Sequence, residues 1–131
     1  MRVLFDVTHP ALVHLFGPAA DALDGAGHNV TVAAREKDVT TDLLDAGDLS
    51  YVVASRAGSG PLSRVGELIE RTRGLIRLAR EVRPDVVVSQ VDPAAVHAAR
   101  RVGARAVVFD DSEHERVAAA LTHRFADVVC T

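Results

Sequence analysis

The sequence predicts an α/β fold: a doubly wound, mostly parallel, six-stranded Rossmann-like sheet with helices on both faces. Three observations predict it. Short β-branched runs such as Val86-Val87-Val88 and Val107-Val108 read as strands covered on both faces, because an uninterrupted apolar run leaves no side for water. Longer stretches between them carry apolar residues at helical spacing, so each has a stripe to lay on a sheet. The connections are short, and right-handed β-α-β crossovers then lead to the strand order 3-2-1-4-5-6.

The first strand is Val3-Leu4-Phe5, an apolar run bounded by Arg2 and Asp6. Pro10 opens the first helix, in which Leu12, Leu15, Phe16, Ala19, Ala20 and Leu23 recur at helical spacing to about Ala26, with Gly27 as the stop. Asn29 to Ala34 forms the second strand, through the alternation of Val30 and Val32. A second helix is expected over Asp38 to Ala46, ended by Gly47, and a third strand at Tyr51-Val52-Val53. After a Gly- and Ser-rich loop from Ser55 to Gly60, the residues Leu62, Val65, Leu68, Ile69, Thr72, Leu75, Ile76 and Ala79 mark a long amphipathic helix, which Pro84 ends. The fourth strand spans Asp85 to Ser89. Asp92-Pro93 then fits a helix N-cap followed by proline at the first helical position, and that helix stops at Gly103. Arg105 to Phe109 is the fifth strand, a helix from about Glu113 to Thr122 follows, and Ala126 to Cys130 is the sixth strand.

The chain has 131 residues, the size of one domain, and 48% of them are apolar, which suffices for a core. A net charge of −3 gives no reason to expect nucleic acid as a partner. Fourteen arginines and a single lysine, Lys37, make up the cations, a compositional habit that assigns no function. The single cysteine, Cys130, allows no internal disulfide and is expected to be a buried thiol, so a reduced, cytoplasmic setting is the simplest reading. Asp6 interrupts the opening apolar run at once, which fits neither a signal peptide nor a membrane span.

Four motifs follow one another along the chain: Asp6-Val7-Thr8-His9-Pro10 with Val13-His14, Ala34-Arg35-Glu36-Lys37-Asp38-Val39-Thr40, Phe109-Asp110-Asp111-Ser112-Glu113-His114, and Phe125-Ala126-Asp127-Val128-Val129-Cys130-Thr131. In this order they resemble the amino-terminal half of the DUF354 family, which is itself similar to the GT-B glycosyltransferases and the UDP-N-acetylglucosamine 2-epimerases. The resemblance spans the whole chain. It departs from the family pattern at Leu12, where a further histidine is common, and at Ser89-Gln90-Val91-Asp92-Pro93, which is usually smaller and richer in Gly, Ser or Asn. It implies that residues 1–131 form the amino-terminal domain of a two-domain protein whose active site lies between the domains. The missing carboxy-terminal domain would hold most of the nucleotide-sugar contacts. A nucleotide sugar or glycan is then a substrate, no cofactor is implied, and the domain alone is expected to be inactive. The end of the chain at Thr131, just past a strand, fits that expectation.

In a parallel sheet, ligands bind beyond the carboxyl ends of the strands. His9 lies at the mouth of the first helix and His14 about one turn inside, where imidazole is suited to act as general base toward a sugar hydroxyl. The alternative is that His9 caps the helix and His14 lies on a solvated face. Thr8 borders the same turn as a substrate-binding candidate. Of the cluster after the fifth strand, Ser112 and Glu115 fit a capping box, while Asp111, Glu113 and His114 remain candidates, Asp111 for binding and the other two for proton transfer. Carboxylates and imidazole also bind metals, but no second ligand set stands out, so no metal site is assigned. Arg35, after the second strand, could meet a phosphate, with a charged loop as the blander reading. Gln90 and Asp92 follow the fourth strand beside the switch point. Asp92 reads first as an N-cap and second as a ligand contact.

The first-strand turn has no G-x-G-x-x-G, which argues against a nicotinamide or flavin site, and the chain has no Walker motif. His9 stands one position too far from Asp6 for a cobalamin-type Asp-x-His-x-x-Gly motif. The long helix carries Arg64, Arg71, Arg73, Arg77, Arg80 and Arg83, with Glu67 and Arg71 spaced as an i,i+4 pair. A solvated face fits these arginines better than an anionic membrane surface, because the sheet should occupy the apolar stripe. The second functional reading is a non-catalytic binding domain that pairs with a separate chain. A flavodoxin-like regulator fits less well, since only Asp6 stands where an acidic pair is needed.

Overall fold

The computed structural model describes residues 1–36, 51–56, 61–111 and 116–131. Six parallel strands form one sheet: β1 (Arg2–Val7), β2 (Asn29–Glu36), β3 (Tyr51–Arg56), β4 (Val86–Gln90), β5 (Arg105–Phe109) and β6 (Val128–Cys130). Their order is β3-β2-β1-β4-β5-β6, the predicted order, so the chain reverses its winding between β1 and β4. The register pairs Val3 with both Val30 and Val86 and Phe5 with both Val32 and Val88. The described helices are α1 (Pro10–Gly25), α2 (Pro61–Val82), α3 (Pro93–Val102) and α4 (Arg116–His123). The helix expected over Asp38 to Ala46 lies outside the described residues.

The two faces of the sheet bury different sets of side chains, as the twofold period of a strand requires. Val3, Phe5 and Val7 of β1 pack with Leu12, Phe16 and Ala20 of α1. The Phe16 ring meets Phe5 at 5.6 Å between centroids and Phe109 edge-on at 5.5 Å. Leu4 points the other way and joins Leu75, Leu78 and Ala79 of α2 with Ala94, Ala95, Val96, Ala98 and Ala99 of α3. The small residues of α3 let it lie close to the sheet and to α2.

β5 has the expected ends, and the other strands differ from the sequence expectation by up to three residues at an end, mostly because hydrogen-bonded pairing extends into polar neighbours. Two differences matter more. The apolar stripe predicted for the long helix is only half covered: Leu75 and Ala79 are buried, but Val65 is 64% exposed and Leu68 and Ile69 are each 48% exposed. Length explains this. At 1.5 Å per residue α2 is roughly 33 Å long, whereas a five-residue strand spans about 17 Å, so the first turns of α2 overhang the carboxyl edge of the sheet. Cys130, expected to be buried, is half-buried, because β6 is an edge strand.

Backbone exceptions sit at helix ends. Gly103 caps α3 in the left-handed region at φ 73°, where glycine carries no Cβ penalty. Arg83, between α2 and Pro84, adopts φ 50° and is the only non-glycine residue with positive φ among the described residues. A side chain in that region costs roughly 1–2 kcal/mol.

Candidate functional site

The reversal between β1 and β4 opens a crevice at the carboxyl edge, and the strand period decides which side chains enter it. Asp6 follows Leu4 by two residues, so it faces α2 and α3 from the last turn of β1. It is only 3% exposed. Arg71 lies one turn before Leu75 and two before Ala79, on the buried stripe of α2, and is 8% exposed. Its Nη2 donates to Asp6 Oδ2 at 2.5 Å and also to Asp92 Oδ2. Asp92 is the N-cap of α3, and its other oxygen accepts from the Ala94 N–H at 2.9 Å. One guanidinium nitrogen therefore ties together β1, α2 and the mouth of α3.

Two carboxylates on one cation leave an excess negative charge in a dry place. Burial pushes the Asp6 carboxyl well above the usual carboxylate range; Arg71 opposes the rise, and the charge and hydrogen bond of Asp92 add to it. A proton on Asp6 leaves Asp92 and Arg71 as a balanced pair. Arg35, at the end of β2 next to a register shift between Ala34 and Arg35, forms an ion pair with Glu67 of α2. Burial and the Arg71 charge lower its pKa, against the pull of Asp92. The Nε–H groups of Arg35 and Arg71 are buried and make no hydrogen bond among the described residues.

The predicted residues fall around this network. Thr8 is half-buried in the turn between β1 and α1. His9 is the N-cap of α1: its Nδ1 accepts from the Ala11 N–H at 3.2 Å, with Pro10 at the first helical position. A neutral ring that accepts at Nδ1 carries its proton on Nε2, so the exposed edge of His9 is an N–H donor. His14 is exposed on α1 and its side chain makes no hydrogen bond among the described residues; Pro18 lacks the N–H that would reach the His14 carbonyl. Gln90 ends β4, and its Nε2 donates to Asp111 Oδ1 at 2.5 Å, joining the ends of β4 and β5. Glu113 and His114 lie outside the described residues, as does the capping box of Ser112 and Glu115. Among the described residues no cluster of three or more His, Cys, Asp or Glu side chains could hold a metal ion.

Sequence reasoning missed three members. Arg71 read as solvated and paired with Glu67; instead it is buried on Asp6 and Asp92, while Glu67 pairs with Arg35. The signal was its place at i−4 and i−8 from Leu75 and Ala79. Asp6 read as the end of an apolar run, although its period with Leu4 puts it in the core. The third is His123 at the end of α4, whose Nε2 lies 2.8 Å from Asp110 Oδ2 beyond β5, within ion-pair distance but without hydrogen-bond alignment. Asp110 also donates its N–H to the Cys130 carbonyl at 2.8 Å.

No protein-family model and no curated protein matches the chain. Solved structures do match it, and they show its fold, which is similar to that of glycosyltransferases and UDP-GlcNAc 2-epimerases. MurG of Acinetobacter baumannii is similar over 99% of this chain at TM-score 0.77 and 19% identity. The UDP-GlcNAc 2-epimerase of Neisseria meningitidis, solved bound to UDP-GlcNAc, is similar over 96% at TM-score 0.77 and 14% identity. The spinosyn forosaminyltransferase SpnP is similar over 84% at TM-score 0.69 and 28% identity. The chain spans 41%, 39% and 30% of those proteins respectively.

Proposed function

We propose that this chain is the acceptor-side, amino-terminal domain of a cytoplasmic GT-B-like glycosyltransferase or sugar-nucleotide epimerase of the DUF354 type. It would form one wall of a cleft that a second domain completes, and it would be inactive alone. The observation that carries this reading is the fixing of Asp92 at the switch point by Arg71, beside Thr8, His9 and Gln90. The fold supports it, because structural neighbours include an epimerase bound to UDP-GlcNAc. Sugars are recognised by converging donors and acceptors. The Nε2–H of His9, the Thr8 hydroxyl, the Gln90 amide and the Asp111 carboxylate supply them, and Arg35 offers charge for a phosphate. Proton transfer falls to His14, Glu113, His114, or to His9 once its ring gives up the cap.

The test is a ¹⁵N NMR titration of the 131-residue chain with UDP-GlcNAc and a panel of nucleotide sugars and sugar acceptors. Shifts gathered at Thr8–Val13, Gln90–Ala94 and Asp110–Asp111, with no turnover, are expected. Turnover by the chain alone would overturn the reading of an incomplete cleft. In a protein that carries the second domain, His9→Ala and Glu113→Gln are expected to lower activity with the fold intact. If both leave activity and binding unchanged, the site is wrongly placed.

A further inference from the structure

At the opposite, amino edge of the sheet, the structure gathers positive charge that the carboxyl-edge site does not use. A groove of about 810 Å³ opens between the C-terminal ends of α2 and α3, with Arg80, Arg83, Arg101 and Arg105 on its walls. A second groove of about 490 Å³ adjoins it, sharing Arg80 and Arg101 and adding Arg73 and Arg77. All six arginines are exposed, and none makes an ion pair or side-chain hydrogen bond among the described residues. Of the acids lining the two grooves, Asp85 already accepts from the Arg2 N–H at 2.8 Å, which leaves Glu81. On a chain of net charge −3, this concentration is a local reversal of sign.

Helix electrostatics explains part of it. Cations in a last turn complement the helix dipole, and Arg80 and Arg101 stand there. The effect dies within that turn, so it does not account for Arg73 and Arg77 farther inside α2. Nor does it account for Arg83, which keeps a side chain at φ 50°, where glycine is the ordinary choice. Residual strain at a charged position points to use of the side chain.

We propose that these arginines form a binding site for a phosphate-bearing anion. Guanidinium groups bind phosphate oxygens through paired N–H donors, and a row at i, i+4 and i+7 on α2 facing Arg101 of α3 suits several phosphates or a row of headgroups. Among the described residues no aromatic side chain lines either groove, so they offer none of the stacking platforms that hold single-stranded nucleic acid.

The experiment titrates the 131-residue chain with sodium tripolyphosphate at low ionic strength by ¹⁵N NMR, and in parallel floats it with vesicles of phosphatidylglycerol and phosphatidylcholine or of phosphatidylcholine alone. The expected result is saturable shifts at Arg73–Arg83 and Arg101–Arg105 that weaken as salt shortens the screening length. The double variant Arg80→Gln/Arg101→Gln, with its other resonances unmoved, should bind at least about tenfold more weakly, while Arg124→Gln, outside the grooves, should bind as before. Tripolyphosphate binding without flotation assigns the site to free phosphates. Flotation with the anionic vesicles alone, lost in the double variant, assigns it to lipid headgroups. Absence of both, or equal loss in Arg124→Gln, would overturn the proposal.

Discussion

Arg71 donates its Nη2 hydrogen to Asp6 at 2.5 Å, across 65 residues of sequence, in a part of the core where both side chains are almost wholly covered. The same nitrogen holds Asp92. Removing the guanidinium would leave two carboxyl groups facing each other without the donor that bridges them. Arg71→Leu is therefore expected to destabilise the chain by about 3–5 kcal/mol, the usual result of breaking a buried pair from one side. Urea denaturation measures it. A loss under about 1 kcal/mol would mean that the side chain is as replaceable as a surface arginine.

The raised pKa of Asp6 makes a prediction of definite sign. An unfolded Asp titrates near 3.9, while folded Asp6 keeps its proton to higher pH. Between those values the native state binds more protons than the unfolded state, so stability falls as pH rises. The Asp6 contribution is most favourable below the unfolded value and is lost as pH climbs through the folded one. Asp6→Asn mimics the protonated carboxyl and should remove this decline. Urea midpoints of both proteins from about pH 4 upward check it, and a difference that is flat or slopes the other way would count against it.

The legibility of this fold and site follows from how local each determinant is. The strand order could be read because β-branched runs, short connections and crossover handedness all constrain it before any contact is known. Asp92 could be read as a cap because Asp-Pro before a helical stretch is a two-residue signal. Arg71 could not be read with the same ease: a charge on an arginine-rich helix looks solvated until Asp6 and Asp92 are brought to it. The overhang of α2 was hidden for a similar reason, since covering Val65 and Leu68 depends on strand length rather than on the helix's own pattern.

His9 separates a structural role from a chemical one. As a cap its Nδ1 serves the Ala11 N–H. His9→Ala is expected to cost about 0.5–2 kcal/mol, and His9→Asp to recover most of that, since a carboxylate caps at least as well and favours the helix N-terminus. Thermal unfolding of the three proteins tests the cap. In a protein with a complete cleft, His9→Asp would then keep the fold while losing the Nε2–H donor. Full stability with reduced turnover would mark chemistry, whereas equal stability of His9→Ala and the parent would refute the cap.

Arg83 offers the opposite trade. Its φ of 50° before Pro84 puts a Cβ where the backbone disfavours one. Glycine there would relieve roughly 1–2 kcal/mol of strain, offset by about 0.5–1 kcal/mol of extra chain entropy in the unfolded state. Arg83→Gly is thus expected to raise stability by about 0.5 kcal/mol, a gain from deleting a long, charged side chain. Arg83→Ala keeps the Cβ and the strain, so it should show no such gain. The pair of variants isolates the backbone from the charge: if alanine stabilises as much as glycine, repulsion among the neighbouring arginines, and not the left-handed turn, is what the native residue costs the fold.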